Sequence, residues 1–147
     1  MPSKTQKPLY YFDQSGVIPF RYKKRKLEVM LITSMGGRHW KIPKGIIEPE
    51  LSAQESAQQE AFEEAGIRGK IIRQSIGEYQ YSKWGGNCNV KVFPFIVEEI
   101  TDEYPESDLR KRKWVNIDKA VSLVDIKKLG KLIKQLPVFL NDGIKKY

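Results

Sequence analysis

The chain has 147 residues, a formal net charge of +8 at pH 7 and one cysteine, Cys88. This length suits one domain with a single core, a lone cysteine excludes an intrachain disulfide, and no apolar run approaches the roughly 20 residues of a membrane-spanning helix. We therefore predict a single domain over residues 1–147 in a reducing cytoplasm. Residues 1–10 lack the apolar stretch of a signal peptide and are predicted to be a flexible arm.

The first part of the chain is predicted to form strands and then a loop. Residues 17–20 and 27–33 have the apolar content of strands, joined by a basic turn at residues 21–26. In the second strand Glu28 and Met30 alternate with Leu27, Val29, Leu31 and Thr33, a pattern typical of a half-buried strand. A short strand then leads into a loop bounded by Pro and Gly within residues 40–50, where Pro49 prevents an early helix.

A helix is predicted to begin at about residue 52. Ser52 followed by Glu55 forms a capping-box pattern, and Gly66 fits the helix end because glycine adopts the left-handed conformation without a side-chain penalty. A stripe of small residues repeats every four positions and can lie close against a sheet: Ala53, Ala57, Ala61 and Ala65.

The same helix carries three glutamates on one turn. Glu60, Glu63 and Glu64 stand at i, i+3 and i+4, so their side chains share one face. Three like charges on one turn destabilise a helix unless they are neutralised, and a hard divalent cation such as Mg²⁺ prefers oxygen ligands. A solvated acidic face is the alternative interpretation of this pattern.

The second part of the chain adds strands and two helices. Strands are predicted at residues 70–73, 76–81, 90–97 and 114–115, with a loop around residues 85–87, and Pro94 indicates a bulge or an edge strand. Asp118 is predicted to cap a short helix. The apolar spacing of residues 129–136 predicts an amphipathic helix that ends at Pro137. Strands interrupted by a central and a terminal helix indicate an α/β class, packed as a sandwich.

The segment from Gly45 to Ile67 resembles the signature of the Nudix hydrolases. Gly45 matches the opening glycine, and the closing half matches at the correct spacing with Glu60, Ala61, Glu63, Glu64, Gly66 and Ile67. Leu51 stands where the pattern has Glu, and Gln59 stands where it has Arg. The preceding run from Trp40 to Lys44 also fits, and the likeness extends from about Val17 to the C-terminal helix. The resemblance implies the Nudix α/β/α sandwich with a mixed sheet.

The resemblance also implies an activity, Mg²⁺-dependent hydrolysis of a pyrophosphate bond, with Mn²⁺ as the alternative ion. Glu60 and Glu64 would be the main metal ligands, Glu63 a third ligand or a partner of the base, and the Lys44 carbonyl a further ligand. The general base varies in the family, so a box glutamate and several later acids remain candidates here: Glu98, Glu99, Asp102, Glu103 and Glu106. We expect an active enzyme whose metal affinity is altered by Leu51 and Gln59, because the arginine that normally holds the box carboxylates is absent.

The positive charge indicates a polyanionic partner, although a solvated surface that blunts an edge strand is the alternative. Within the family the chain most resembles the diphosphoinositol polyphosphate and dinucleoside polyphosphate hydrolases, in residues 37–45, 64–67 and 110–114 and in Asp118 and Ala120. Arg38, Lys44 and Gly45 flank the loop that enters the box and are predicted to bind phosphate. Arg110 belongs to a later basic segment and is a further candidate, with Lys83 and Arg112 as weaker ones. Tyr79, Tyr81 and Trp84 are candidates for stacking a base, or for ordinary packing.

Two other functions stay open. The departures at Leu51 and Gln59 also fit a catalytically silent Nudix module that binds a nucleotide or a partner. The net charge also fits a nucleic-acid binder or an enzyme that acts on the 5′ end of RNA, although no RNA-binding motif accompanies it. We predict a phosphorylated small molecule as the partner, no membrane contact, and make no prediction of oligomeric state.

Overall fold

A computed structural model describes residues 6–143. Within that range the chain forms eight strands, three α-helices and one short 3₁₀ helix, Leu9–Phe12. The strands are β1 (Asp13–Lys23), β2 (Lys26–Thr33), β3 (Trp40–Lys41), β4 (Lys44–Ile46), β5 (Ile67–Ile71), β6 (Gly77–Lys83), β7 (Gly86–Ile100) and β8 (Arg112–Asn116). The helices are α1 (Ala53–Ala65), α2 (Ile117–Leu123) and α3 (Lys127–Gly143).

The strands form one mixed sheet that opens between β1 and β2. Near their hairpin these two strands pair with each other, from Phe20 opposite Val29 to the turn. Farther along, the start of β1 pairs with β4 and the end of β2 pairs with β3. The short segment from β3 to β4 therefore fills the gap where β1 and β2 separate. On its other side β1 runs parallel to β7, which also pairs with β5 and β6.

Helices cover both faces of the sheet. On one face, the predicted alanine stripe of α1 packs on Val17, Phe93 and Phe95. On the other face, α2 and α3 bury a larger apolar cluster that includes Ile18 and Leu31. Neighbouring strand residues such as 17 and 18 thus point into opposite cores, as the period of a strand requires. The predicted α/β sandwich is confirmed.

The strand predictions fail where both faces are covered. We expected β2 to be half-buried, but Met30 and Ile32 are buried on the α1 side while Leu31 is buried on the other. The predicted edge at Pro94 is wrong, because β7 lies inside the sheet, and the irregularity that β7 does show lies farther along, opposite Arg68 and Gly69. The Pro94 carbonyl accepts from the Ile72 N–H. An N–H at this position would point to the same side, where the partner of β7 changes from β6 to β5. No hydrogen bond of the sheet is therefore lost through the proline.

The helix termini follow local signals in α1 and depart from them later. The Ser52–Glu55 capping box is present and Gly66 is left-handed, as predicted. Asn116, and not Asp118, caps α2, by accepting from the Lys119 N–H. The terminal helix does not end at Pro137.

Helix α3 continues to Gly143 with Pro137 in its interior. Leu136 and Leu140 are both buried, one turn apart on the face that packs on the sheet. Burial of that extra turn offsets the hydrogen bond that proline removes.

The predicted arm at residues 1–10 is only partly described. Residues 1–5 lie outside the described range, and the 3₁₀ helix begins at Leu9. This helix packs Tyr11 edge-on against Trp84, with ring centroids 5.3 Å apart. Among residues 6–143, no helix is long and apolar enough to cross a bilayer.

Candidate active site

The acidic face of α1 lies over the β3–β4 segment. A Cβ atom placed on Gly45 would lie 2.2 Å from the Oε1 atom of Glu60, far inside van der Waals contact. The carboxylate of Glu60 therefore occupies the space that any larger residue at position 45 would fill. Glycine is needed here for close approach between the helix and β4.

Glu64 is the most enclosed of the three box glutamates, with a side chain that is 7% exposed. Its Oε1 atom accepts from the Lys44 backbone N–H at 3.2 Å and lies 3.5 Å from Lys41 Nζ. Its Oε2 atom lies 3.4 Å from Arg110 Nη2. A buried carboxylate is costly unless it is paired and hydrogen-bonded, and these contacts meet that requirement.

Crowding of the acids changes their protonation. Burial, reinforced by the charges of Glu64 and Glu63, raises the pKa of Glu60 to about 8. Burial also raises the pKa of Glu63, and the charge of Glu106 adds to that shift. Both shifts have the sign expected where carboxylates lie close together, and a divalent cation would relieve both.

A polar cluster on the sheet faces the acids. The Lys44 ammonium donates to the Tyr81 hydroxyl at 2.7 Å and to Gln14 Oε1 at 3.4 Å. The Tyr81 hydroxyl donates to the same Gln14 oxygen at 2.7 Å. Burial, reinforced by the nearby charge of Lys41, lowers the pKa of Lys44 to about 7. The cluster thus holds a basic group at the wall of the site.

The loop between β7 and β8 forms the remaining wall. Its Glu106 N–H donates to the Glu63 carbonyl at 3.0 Å, which fastens the loop to α1. Arg110 donates through Nε to Glu106 Oε1 at 2.9 Å and through Nη1 to the Thr33 carbonyl at 3.0 Å. Its side chain is only 6% exposed. Arg110 is therefore fixed at two points and reaches Glu64 with its remaining nitrogen.

These side chains surround one cavity of about 300 Å³. Trp84 contributes an aromatic ring to the same wall as Tyr81. The cavity's charged lining comprises four basic and four acidic residues: Lys41, Lys44, Lys83, Arg110, Glu60, Glu63, Glu64 and Glu106.

The donor set fits a divalent metal in its chemistry. Across residues 6–143, no three Asp, Glu, His or Cys side chains are gathered closely enough to hold a metal by themselves. Glu60 and Glu64 nevertheless line one cavity, and the charge of Glu64 contributes to the raised pKa of Glu60. Mg²⁺ is usually held by one or two carboxylates, with water and substrate phosphate completing its shell. Two adjoining carboxylates in a basic cavity match that mode.

The sequence matches the family model described as the NUDIX domain over residues 13–136. The chain belongs to the Nudix family. It is 36% identical over 119 residues to Nudix hydrolase 21, chloroplastic, of Arabidopsis thaliana, covering 77% of this chain and 60% of that protein. It is 29% identical over 129 residues to diphosphoinositol polyphosphate phosphohydrolase 3-beta of Bos taurus, covering 86% and 77%. The chain spans less than two thirds of some curated relatives, 60% of Nudix hydrolase 21 and 64% of Nudix hydrolase 4.

A solved Nudix-type fold also superposes on the chain. The crystal structure of a C. elegans Ap4A hydrolase binary complex gives a TM-score of 0.77 at 24% identity, covering 88% of this chain and 97% of that one. At this identity the match supports the fold, and a substrate has to be argued from the site.

Both departures from the Nudix pattern face away from the carboxylates. Leu51 lines a separate cavity of about 470 Å³ near the start of β1. Gln59 is exposed and lines a groove on the outer side of α1. Positive charge reaches the acidic turn from Lys41 and Arg110 instead. The absence of arginine at position 59 therefore leaves the turn with other cationic partners.

The other predicted residues separate into those at the cavity and those away from it. Arg38 is exposed in the loop after β2 and does not line the cavity. The backbone of Lys44 contacts the box acids through its N–H, which donates to Glu64. The role of its carbonyl as a metal ligand stays a prediction. Arg112 binds the Ala65 carbonyl at the end of α1 and is structural. Of the five later acids, Glu106 lines the cavity and the other four are exposed: Glu98, Glu99, Asp102 and Glu103.

Sequence reasoning missed Lys41 and Gln14. A signal for Lys41 was available, because Trp40 is an apolar strand residue and its neighbour must point to the opposite face. No comparable signal marks Gln14, a buried polar residue in a largely apolar strand. Tyr79 is fully buried and serves packing, while Tyr81 and Trp84 reach the cavity.

Proposed function

We propose that this Nudix protein hydrolyses a pyrophosphate bond in a polyphosphorylated small molecule, of the dinucleoside polyphosphate or diphosphoinositol polyphosphate type, with Mg²⁺ or Mn²⁺. The observation that carries the proposal is that Glu60, Glu63 and Glu64 line one cavity together with four basic side chains. A bound divalent metal would neutralise phosphate oxygens and lower the pKa of the attacking water.

The box glutamates divide the work. Glu60 and Glu64 hold the metal, because their carboxylates adjoin each other and approach the β4 backbone. The Lys44 carbonyl is a further proposed ligand. Glu63 lines the same cavity and its raised pKa suits a group that accepts a proton from water near neutral pH. It makes no side-chain ion pair within the described residues, so it is available for that role.

Phosphate binding falls to the basic lining. Lys44 and Lys83 face the cavity from the sheet, and Arg110 faces it from the loop. Gly45 keeps that side of the cavity open for the box acids. Arg38, which lies outside the cavity, would reach only the distal phosphates of a long substrate.

Trp84 favours a nucleotide among the proposed substrates. Its indole lines the cavity beside Lys83, whose ammonium lies 4.6 Å from the ring centroid. An aromatic ring next to a cation suits a base followed by phosphate. If so, Trp84→Ala raises KM for a dinucleoside polyphosphate more than for a diphosphoinositol phosphate.

We also propose that the protein acts in the cytoplasm, from its lone cysteine. Several relatives are named as chloroplastic or mitochondrial, so fractionation of the source cells tests the location.

The test is phosphate release from a panel of dinucleoside polyphosphates, ADP-ribose, nucleoside triphosphates, diphosphoinositol phosphates and RNA with a 5′-triphosphate. Glu64→Gln should lower kcat at least about 100-fold, as removal of a group that acts on the transition state does. Glu99→Gln is the matched control, because Glu99 is exposed on β7 and should leave turnover unchanged.

Three other outcomes of this test would change the proposal. Equal turnover by wild type and Glu64→Gln would refute the assigned metal site. Metal binding without turnover would identify a silent module, and turnover on RNA alone would identify an RNA-end hydrolase.

A further inference from the structure

Arg110 has one contact that differs from its other two. Its bonds to Glu106 and to the Thr33 carbonyl are 2.9 and 3.0 Å long, whereas its contact with Glu64 is 3.4 Å. The first two hold the guanidinium in place whether or not the third is made. The group can therefore release Glu64 and stay at the cavity wall.

Glu64 needs the contact only when no metal is present. Its carboxylate is 7% exposed, so it requires a counter-ion in that state. Arg110 and Lys41 supply one on each oxygen. A divalent ion bound to Glu64 would compete with these cations for the same lone pairs.

That competition leaves Arg110 Nη2 without its contact to Glu64 inside the substrate cavity, while Nε stays paired with Glu106. Arg110 lines the same cavity as Glu60 and Lys83. A guanidinium released from Glu64 is well suited to phosphate, since its planar fork matches two oxygens. The phosphate would thus restore the partner that the metal removes.

We propose that Arg110 and Glu64 form an exchangeable ion pair: Arg110 holds Glu64 when the metal is absent and passes to a substrate phosphate when the metal binds. The exchange makes metal and substrate bind cooperatively, and by linkage the coupling is equal in both directions. This inference rests on the proposed function, because it assumes that Glu64 is a metal ligand.

The experiment measures Mn²⁺ binding to the metal-free full chain by calorimetry, alone and with excess inorganic phosphate. Arg110→Gln removes a cation that competes for Glu64, so Mn²⁺ alone should bind about threefold to tenfold more tightly, since an adjacent opposite charge changes a carboxylate's proton affinity tenfold or more. The same variant should lose most of the tightening that phosphate gives the wild type, and its KM at saturating Mn²⁺ should rise.

Lys111→Gln is the matched control. It removes one positive charge from the neighbouring position, where the side chain is exposed, and should leave both Mn²⁺ affinities unchanged. Arg110→Lys is the second variant and guards against a folding defect. A single ammonium cannot span Glu106 and Glu64 together, so the same changes should appear at smaller size.

The directions of the effects separate the explanations. General damage to the site would weaken Mn²⁺ binding, which is opposite to the expected tightening. Unchanged or weaker Mn²⁺ binding in both Arg110 variants would overturn the inference while leaving the proposed function intact. A wild type that binds no Mn²⁺ would overturn the proposed function, and the inference with it.

Discussion

Substitution of Gly45 by alanine tests the geometry of the acidic turn with one methyl group. The added Cβ would lie 2.2 Å from Glu60 Oε1, and its three nearest atoms all belong to the Glu60 side chain. The backbone at position 45 does not adopt a left-handed conformation, so alanine brings no conformational strain. Its effect should come from Glu60 alone.

The size of the effect follows from the contact distance. An ordinary contact begins at 3.4 Å, so the Glu60 oxygen must move by about 1.2 Å, and misplacement of a catalytic group by about 1 Å can cost on the order of 100-fold in rate. We expect kcat/KM to fall about 100-fold, equivalent to roughly 2.7 kcal/mol of transition-state stabilisation. Stability should change by less than about 1 kcal/mol, because a flexible side chain can rotate away.

Steady-state kinetics and urea unfolding measure the two quantities on the same protein. Gly130→Ala is the matched control: a Cβ there meets only ordinary contacts at 3.6 Å or more, so activity should be unchanged. In a Glu60→Ala background, Gly45→Ala should have no further effect on stability. Near wild-type kcat/KM in the single Gly45 variant would refute the placement of Glu60 in the metal site.

Three further outcomes are expected. With the metal removed by a chelator, the free energy of unfolding should fall from pH 5 to pH 7. Burial raises the pKa of Glu60 from its ordinary 4.5 to about 8, so in this range the folded state binds a proton that the unfolded state does not. The stabilisation from that proton is lost as the pH rises, by at most about 1.4 kcal/mol per pH unit. Urea unfolding at each pH measures this, and a slope of the same size in Glu60→Gln would contradict the assignment. Leu51→Glu restores the acid of the family pattern but faces another cavity, so calorimetry should find Mn²⁺ affinity within about twofold of wild type, and a tenfold gain would count against this placement. Leu136→Ala should cost roughly 2–5 kcal/mol in urea unfolding because the side chain is fully buried. Val138 lies on the opposite side of α3 and is 64% exposed, so Val138→Ala should change the free energy of unfolding by less than about 0.5 kcal/mol. Equal losses in the two variants would show that α3 packs differently.

Features set by neighbouring residues could be predicted from the sequence. Helix α1 begins at the Ser52 cap and ends at Gly66 because both signals act within one turn of the helix. The three glutamates share a face for the same reason. Nothing beyond residues 45–67 is required for these predictions, and the Nudix signature lies in the same segment.

Features set by packing could not be predicted from the sequence. Pro94 and Pro137 both suggested an end or an edge, and both lie inside regular structure. Pro94 is tolerated because its missing N–H faces the changeover between two partner strands. Pro137 is tolerated because α3 gains the burial of Leu140 on the next turn. In each case the neighbouring elements decide, and a single sequence does not contain them.

The electrostatics of the site belongs to this second group. The partners of Glu64 come from Lys44, 20 residues away in sequence, and Arg110, 46 residues away. A missing arginine at position 59 therefore says little about the charge at the carboxylates until the fold is known. The motif gives the proposed metal ligands, while the β3–β4 segment and the loop after β7 would determine how strongly those ligands hold a metal. For this reason variants of Arg110 should change Mn²⁺ affinity more than a restored arginine at position 59, whose side chain would begin on the outer face of α1.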